Sequence, residues 1–172
     1  MLFHRFATFV CLLGLLWPSV GFPATDAVQH NAFKPAPQGQ QVPPLWVKNA
    51  QGADINLKTL WNEAAGRTIY LHLWAPSCPP CVSEIKAMDT LWPALTAKGV
   101  TVIVLAEDHD GAVTVPAFAS RYGIKTLPLI IDAGRLLWLQ LQPRGLPMTY
   151  QLDEQGHILS VHEGVLDWRS LL

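Results

Sequence analysis

Two cysteines separated by two prolines are the residues of this sequence best suited to chemistry. Cys78 and Cys81 enclose only Pro79 and Pro80. A disulfide across so short a loop restricts the unfolded chain very little, so it contributes least as a structural staple. Two close thiols can instead exchange electrons, because a thiolate attacks a partner disulfide and the second thiol resolves the mixed disulfide. The spacing therefore indicates a redox pair.

The surrounding sequence predicts that a strand and then a helix position this pair. Thr68–Trp74 is a nearly continuous apolar run, typical of a strand whose sheet is covered on both faces. Beyond the pair, apolar residues recur every three or four positions, at Val82, Ile85, Met88, Trp92 and Leu95. Cys78 would begin this helix, where free N–H groups and the helix dipole favour a thiolate. We expect Cys78 to attack the substrate, and the more buried Cys81 to release the product.

The two prolines bear on how reducing the pair is. Pro79 and Pro80 have no N–H, so a thiolate at Cys78 must take its backbone hydrogen bonds from Cys81 and beyond. Fewer donors stabilise a thiolate less, which predicts a higher pKa for Cys78 and a more reducing pair.

A zinc or copper site is the alternative use of the same cysteines. A C-x-x-C pair can be half of a zinc site, but it needs two further ligands at close spacing. Only His157 and His162 have a suitable mutual spacing, and they fall on a predicted hairpin. A metallochaperone that delivers copper or zinc through Cys78 and Cys81 remains the alternative function.

The N-terminus has the features of a targeting segment. An apolar stretch, Phe6–Trp17, follows His4 and Arg5 and is ended by helix-breaking residues. We therefore expect residues 1–24 to be a signal peptide or a membrane anchor, which puts the protein in the periplasm or otherwise outside the cytoplasm. Whether the segment is cut or kept as a tether stays open.

The rest of the 172-residue chain divides into a linker and one domain. Prolines and a Gln/Gly-rich run predict a linker over 25–44, and the domain is expected over 45–172. Twelve Lys and Arg oppose thirteen Asp and Glu, for a net charge of −1 without a basic run, so nucleic-acid binding is not expected.

Within the domain, strand and helix patterns alternate and a hairpin comes last. The predicted strands and hairpin arms are Leu45–Asn49, Asp54–Leu57, Thr68–Trp74, Val100–Ala106, Leu127–Ile131, Met148–Leu152 and Ile158–His162. Short helices are predicted over Thr59–Ala65 and Pro116–Tyr122, while Arg135–Gln142 is ambiguous. This order predicts an α/β fold with a mixed central sheet flanked by helices and an N-terminal β-hairpin. Glu84 and the acidic loop Glu107–Asp110 are expected to face solvent.

Two separated motifs resemble one known family. Trp74–Cys81 resembles the W-A-x-W-C-x-x-C motif of the thioredoxin superfamily, with Ser77 in place of the second tryptophan. Gly145–Ile158 is similar to the G-x-P-T-T-F-x-I-D-x-x-G-x-I signature of the TlpA/ResA/DsbE branch, which consists of exported thioredoxin-like reductases, and Pro44–Leu57 matches that branch's opening hairpin loosely. The resemblance covers roughly residues 42–168 and implies a thioredoxin-like fold.

The resemblance also implies roles for residues around the pair. It assigns the family's cis-proline to Pro147, and the backbone of Leu146 would then pair with substrate. Apart from the resemblance, Trp74 is expected to pack under the active-site turn and, as a secondary role, to shield the thiols. His72 occupies the position of a buried Asp in thioredoxins, so it is either a neutral core histidine or a relay for the proton of Cys81.

The function implied is that of a disulfide reductase acting on protein thiols outside the cytoplasm. Cytochrome c maturation is one pathway consistent with this, and repair of other oxidised exported proteins is another. Such an enzyme uses no bound cofactor and is reduced by a membrane electron donor. A monomer is expected, since an isomerase would carry a dimerisation region. Only Val165–Leu172 follows Gly164, which leaves little chain for the family's closing helix.

Overall fold

A single mixed sheet of eight strands organises the described part of the chain. The computed structural model describes residues 32–64 and 66–172, so the predicted targeting segment, 1–24, lies outside the described residues. The strands are β1 Lys34–Pro35, β2 Trp46–Asn49, β3 Asp54–Asn56, β4 Thr68–Trp74, β5 Val100–Ala106, β6 Leu129–Ile131, β7 Met148–Leu152 and β8 Ile158–Glu163. The helices are α1 Leu57–Asn62, α2 Pro79–Ala97, α3 Gly111–Tyr122 and α4 Leu136–Leu141, and a 3₁₀ turn spans Trp168–Leu171.

The strand order is β1-β8-β7-β4-β5-β6-β2-β3. Strands β4, β5 and β6 run parallel, and every other neighbouring pair is antiparallel. The expected α/β fold with a mixed sheet and a first hairpin, β2–β3, is therefore confirmed. Strand β4 lies at the centre, so both of its faces are covered, as its continuous apolar sequence predicted.

Alternate residues of β4 enter two different cores. Ile69, Leu71 and Leu73 pack with α1 and α4 on one face. Tyr70 and Trp74 pack with α2, α3 and the 3₁₀ turn on the other face. The short C-terminal segment contributes Leu166 and Trp168 to this second core and so covers part of that face of the sheet.

The predicted linker over 25–44 is wrong for much of its described part. Lys34 pairs with Val161 of β8, Gln41 forms a bridge with His157, and Val42 is buried. Proline is tolerated on an edge strand because one side of that strand needs no ladder hydrogen bonds, so a proline-rich sequence was compatible with β1. The domain therefore includes residues that precede 45.

Two helices differ from their predicted bounds, and the ambiguous segment contains a third helix. The first helix, α1, starts at Leu57 because the side chain of Asn56 accepts a hydrogen bond from the Lys58 N–H. The third, α3, begins five residues before Pro116, which lies inside it. The ambiguous segment 135–142 contains α4, whose first turn is stabilised by a hydrogen bond from the Leu137 N–H to the carboxylate of Asp132.

Candidate active site

The redox pair occupies the turn between the central strand β4 and helix α2. Cys78 is the N-cap residue of α2 with extended backbone angles, and a disulfide joins it to Cys81 across a Cα–Cα distance of 5.3 Å. Cys78 thus lies at the positive end of a 19-residue helix, as its sequence position predicted. Cys78 is partly exposed, whereas Cys81 is fully buried. The accessible sulfur and the protected sulfur suit attack and resolution, respectively.

The two prolines occupy the first and second positions of α2. Pro79 and Pro80 are exposed, and neither carries an N–H. The first backbone donor available to Sγ of Cys78 is therefore the N–H of Cys81, at 3.4 Å. This distance is long, but it is within the range of a hydrogen bond to sulfur. The site therefore offers few hydrogen bonds to a thiolate at Cys78.

Trp74 forms the floor of the site. It is fully buried at the end of β4, and its ring centroid lies 4.8 Å from that of Phe118 in α3. It shares one hydrophobic core with Cys81, while Cys78 packs at the edge of that core. Trp74 is therefore part of the hydrophobic core that underlies the active-site turn.

The segment before β7 lies at the same edge of the sheet. The Leu146–Pro147 peptide bond is cis, and Leu146 is partly buried. Because Met148 pairs with Leu73, Pro147 lies level with the end of β4, where the turn to Cys78 begins. The structure thus brings the two sequence motifs, far apart along the chain, to one edge.

His72 lies behind the pair, on the face of β4 that α2 covers. Its side chain is fully buried, and Nδ1 lies 3.0 Å from Oγ1 of Thr149 on the neighbouring strand β7. Burial, together with the charge of His162, lowers the pKa of His72 to about 3. The imidazole is therefore neutral at physiological pH.

Glu84 is the functional candidate that the sequence prediction missed. The expectation that it faces solvent is wrong, since the residue is 3% exposed. Oε1 accepts hydrogen bonds from the Leu166 N–H at 3.0 Å and from Nε1 of Trp168 at 2.7 Å. Burial raises the pKa of Glu84 to about 7, against the opposing effect of these two donors. Its position three residues after Cys81, on the same face of α2, was the available signal.

Glu84 also approaches His72. Oε2 of Glu84 lies 3.8 Å from Nε2 of His72, and both atoms are buried with no hydrogen-bond partner among the described residues. The buried side of the redox pair thus contains two titratable groups in mutual contact, which is typical of sites that handle protons.

Glu107 is a second acidic residue whose predicted exposure is wrong. It follows β5 and is 4% exposed, whereas its loop neighbours His109 and Asp110 face solvent. Burial and the nearby Asp132 charge raise its pKa to about 8, although Arg135 and a backbone N–H oppose this. The alternation of side chains along β5 explains this burial. It directs the side chain of Glu107 to the face of the sheet that packs against α4.

Metal-binding groups do not cluster in residues 32–64 and 66–172. Nowhere in these ranges do three His, Cys, Asp or Glu side chains converge as a metal site would require. Over the same ranges, no helix combines the length and apolar character needed to cross a membrane.

Comparison with known proteins identifies the family. Residues 38–161 match the AhpC/TSA family. The thiol-disulfide oxidoreductase ResA of Halalkalibacterium halodurans is 31% identical over 126 residues, which cover 73% of this chain and 68% of that protein. The thioredoxin-like protein YneN of Bacillus subtilis is also 31% identical, over 88% of each chain.

Solved structures agree on the fold. StoA from Bacillus subtilis superposes with a TM-score of 0.60 at 21% identity, covering 76% of this chain and 96% of its own. A thiol:disulfide interchange protein DsbE from Chlorobium tepidum gives a TM-score of 0.61 at 19% identity, covering 81% and 92%. With its cysteine pair at the start of α2, this chain belongs to the AhpC/TSA family and is a thioredoxin-like thiol–disulfide oxidoreductase related to ResA.

Proposed function

We propose that this oxidoreductase reduces disulfides in proteins outside the cytoplasm and is itself re-reduced by a membrane electron donor. One observation supports the reducing direction above others: Cys78 is the N-cap of α2, yet Pro79 and Pro80 leave the first two helical positions without an N–H. A thiolate with few donors has a high pKa, and a less stabilised dithiol form gives up its electrons more readily.

The reaction proceeds through a mixed disulfide. The Cys78 thiolate attacks one sulfur of a substrate disulfide, and the other substrate sulfur leaves as a thiolate. Cys81 loses its proton and attacks Sγ of Cys78, which releases the second substrate thiol. The enzyme ends oxidised with the Cys78–Cys81 disulfide, and the substrate has gained two electrons.

Leu146 and Pro147 are proposed to hold the substrate backbone. They lie at the edge of the sheet where β4 ends, level with the turn that carries Cys78. An extended substrate segment could pair with the backbone of Leu146 while its disulfide meets the exposed sulfur.

Insulin reduction with dithiothreitol tests the activity, and mixed-disulfide trapping tests the assignment of the two sulfurs. The purified protein should accelerate insulin precipitation, and both Cys78→Ser and Cys81→Ser should abolish this. With an oxidised protein substrate, Cys81→Ser should accumulate a mixed disulfide and Cys78→Ser should not. Cys11→Ser in the uncut chain is the control, because it removes the cysteine of the predicted targeting segment, which lies outside the proposed pair. Trapping through Cys81 in the Cys78→Ser variant would contradict the assignment.

The direction of electron flow requires a reduction potential. Equilibration with glutathione should give a value well below that of a strong oxidant, which is about −120 mV. A potential near that oxidising limit would contradict the reductase proposal while leaving the oxidoreductase activity intact. Titration of the reduced protein with Cu(I) tests the metallochaperone alternative, which requires tight binding and no insulin reduction.

The N-terminal segment 1–24 is proposed to export the protein as a signal peptide or to anchor it. Expression of the full chain with a C-terminal tag, followed by cell fractionation and N-terminal sequencing, distinguishes a cut from a retained segment. Recovery in the cytoplasm would contradict export. Cytochrome c maturation is the proposed pathway to examine first, through loss of covalently attached haem in a deletion strain.

A further inference from the structure

The C-terminal segment 165–172 reaches the buried side of the redox site at one carboxylate, that of Glu84. We propose that Trp168 is a positioning residue for disulfide exchange, which holds Glu84 against His72 behind Cys81. Through this contact, a segment remote in sequence would control how the resolving cysteine responds to pH. The inference rests on the proposed roles of the two cysteines and deepens them.

The folding of α2 and β4 places the three groups in one layer. Cys81 and Glu84 are one helical turn apart on the buried face of α2. His72 lies between Tyr70 and Trp74 on the alternate residues of β4 that face this helix. The carboxyl and the imidazole therefore occupy the space directly behind the resolving cysteine's turn.

Trp168 contacts both members of the buried pair. Its indole Nε1 donates to Oε1 of Glu84 at 2.7 Å, while its ring meets the imidazole of His72 edge-on, with centroids 5.4 Å apart and an interplanar angle of 88°. The Leu166 N–H donates to the same oxygen at 3.0 Å. Oε1 is thus occupied by the C-terminal segment, which leaves Oε2 directed toward Nε2 of His72 at 3.8 Å.

The two oxygens of the Glu84 carboxylate have different partners, and this allows Oε2 to exchange a proton. Within the part of the chain that the structure describes, Oε2 and Nε2 have no hydrogen-bond partner, so one proton between them would satisfy both atoms. A proton leaving Cys81 during resolution adds to this pair, and one returning to Cys81 comes from it. The donors at Oε1 favour the ionised carboxylate, so removing one of them makes Glu84 hold its proton to higher pH.

Other titratable groups around the pair must stay constant in a test. His162 of β8 faces His72 and lowers its proton affinity, and its ring nitrogens lie near the carbonyls of Ala32 and Val165. Tyr70 of β4 packs edge-on against Trp168, with ring centroids 5.9 Å apart. A substitution that leaves the ring of residue 168 in place preserves these contacts.

The test compares Trp168→Phe with Trp61→Phe in the full-length protein. Trp168→Phe keeps an aromatic ring and removes the N–H that binds Glu84. Trp61 is also fully buried, in the opposite core, and its indole N–H has no hydrogen-bond partner in residues 32–64 and 66–172, so Trp61→Phe controls for the loss of a buried indole. The measurements are the pH profile of insulin reduction and the pH dependence of the reduction potential against glutathione.

Each profile should change slope at the pH where Glu84 titrates, and we call this pH the break. We expect Trp168→Phe to move the break in both profiles upward by about one pH unit, as for loss of one charge-assisted hydrogen bond. Trp61→Phe should leave the break in place. Glu84→Gln should remove it, and adding Trp168→Phe to Glu84→Gln should then shift nothing further. A uniform loss of rate in Trp168→Phe with an unmoved break would overturn the proposal, because a purely structural role predicts that result.

A second measurement avoids dependence on one variant's folding. Carbon NMR of the Glu84 carboxyl in the unsubstituted protein should show titration near neutral pH, and Leu166→Pro, which removes the other donor to Oε1, should raise its midpoint. A Glu84 carboxyl that titrates as an exposed one does would overturn the inference. Absence of insulin reduction by the unsubstituted protein would instead contradict the proposed function, so the two failures are distinguishable.

Discussion

The backbone N–H of Cys81 is the first hydrogen-bond donor that α2 offers to Sγ of Cys78, and the two atoms lie 3.4 Å apart. In an ordinary helix the second residue would supply another such donor to the N-cap side chain. Here that residue is Pro80, which has none. The stability of a thiolate at Cys78 therefore depends on the absent N–H of Pro80 as much as on the helix dipole.

Restoring that donor should make the pair more oxidising. Pro80→Ala adds an N–H at the second helical position, which can stabilise the Cys78 thiolate and so lower its pKa. A gain of about 1.4 kcal/mol for the reduced form corresponds to about +30 mV in the potential. Glutathione equilibration measures the change, and Pro93→Ala, a proline substitution far along the same helix, serves as the control. An equal shift in both variants would contradict the explanation.

Replacement of His72 should alter resolution by Cys81. The imidazole contacts Glu84 on the buried side of the site, so we expect His72→Asn to slow release of the product from the mixed disulfide by about tenfold or more. Single-turnover kinetics and thiol titration of Cys81 measure the effect. His157→Asn is the control, since that histidine is exposed between β7 and β8. An unchanged rate together with an unchanged Cys81 pKa would show that His72 is only a core residue.

Stability should fall as the pH rises through the neutral range. Burial raises the pKa of Glu107 from its ordinary 4.5 to about 8, so the folded state holds a proton that the unfolded state has lost. The free energy of unfolding then decreases between about pH 4.5 and pH 8. Glu107→Gln should flatten this decrease and stabilise the protein at pH 9 by on the order of 2 kcal/mol relative to the unsubstituted chain.

Urea denaturation at several pH values, with the disulfide kept oxidised, measures that dependence. Glu63→Gln is the matched control because Glu63 is exposed in the segment after α1. Glu84 should contribute a similar decrease up to its pKa of about 7, so Glu107→Gln should leave part of the slope. If the free energy of unfolding of Glu107→Gln depended on pH as steeply as that of the unsubstituted protein, Glu107 would not be the buried group that keeps its proton in the folded state.

Asp89 should be worth more to stability than an exposed ion pair. Its carboxylate accepts hydrogen bonds from the backbone N–H groups of Lys125, Thr126 and Leu127, which fastens the segment before β6 to α2. Burial disfavours the ionised form, but these donors outweigh it and lower the pKa of Asp89. The stabilisation is therefore complete at neutral pH and is lost as the pH falls through the lowered pKa.

We expect Asp89→Ala to lower the free energy of unfolding by about 2 kcal/mol at pH 7, because three backbone donors lose their acceptor. Asp54→Ala removes only an exposed contact with Lys48, so it should cost less than about 1 kcal/mol. Chemical denaturation of both variants at pH 7 measures the difference. Equal losses would show that the Asp89 contacts contribute no more than a surface pair does.

The sequence by itself determined the parts of this protein that depend on neighbouring residues. The spacing of the cysteines, the strand-favouring residues over 68–74 and 148–152, and the three-to-four periodicity after Cys81 each report local backbone structure. Strands β4 and β7 accordingly have the predicted bounds, and α2 begins at the pair. The position of Cys78 at the N-terminus of α2, and the absence of N–H groups at Pro79 and Pro80, follow from the same local sequence.

Tertiary structure alone decided which polar side chains are buried and what they meet. Glu84 is held by Leu166 and Trp168, which lie 82 and 84 residues further along the chain, and no local pattern encodes such a contact. Likewise, Lys34–Pro35 became a strand only because β8 offered it an edge. Periodicity shows which face of a helix is apolar, but the partner packed against that face determines whether a carboxylate on it reaches water.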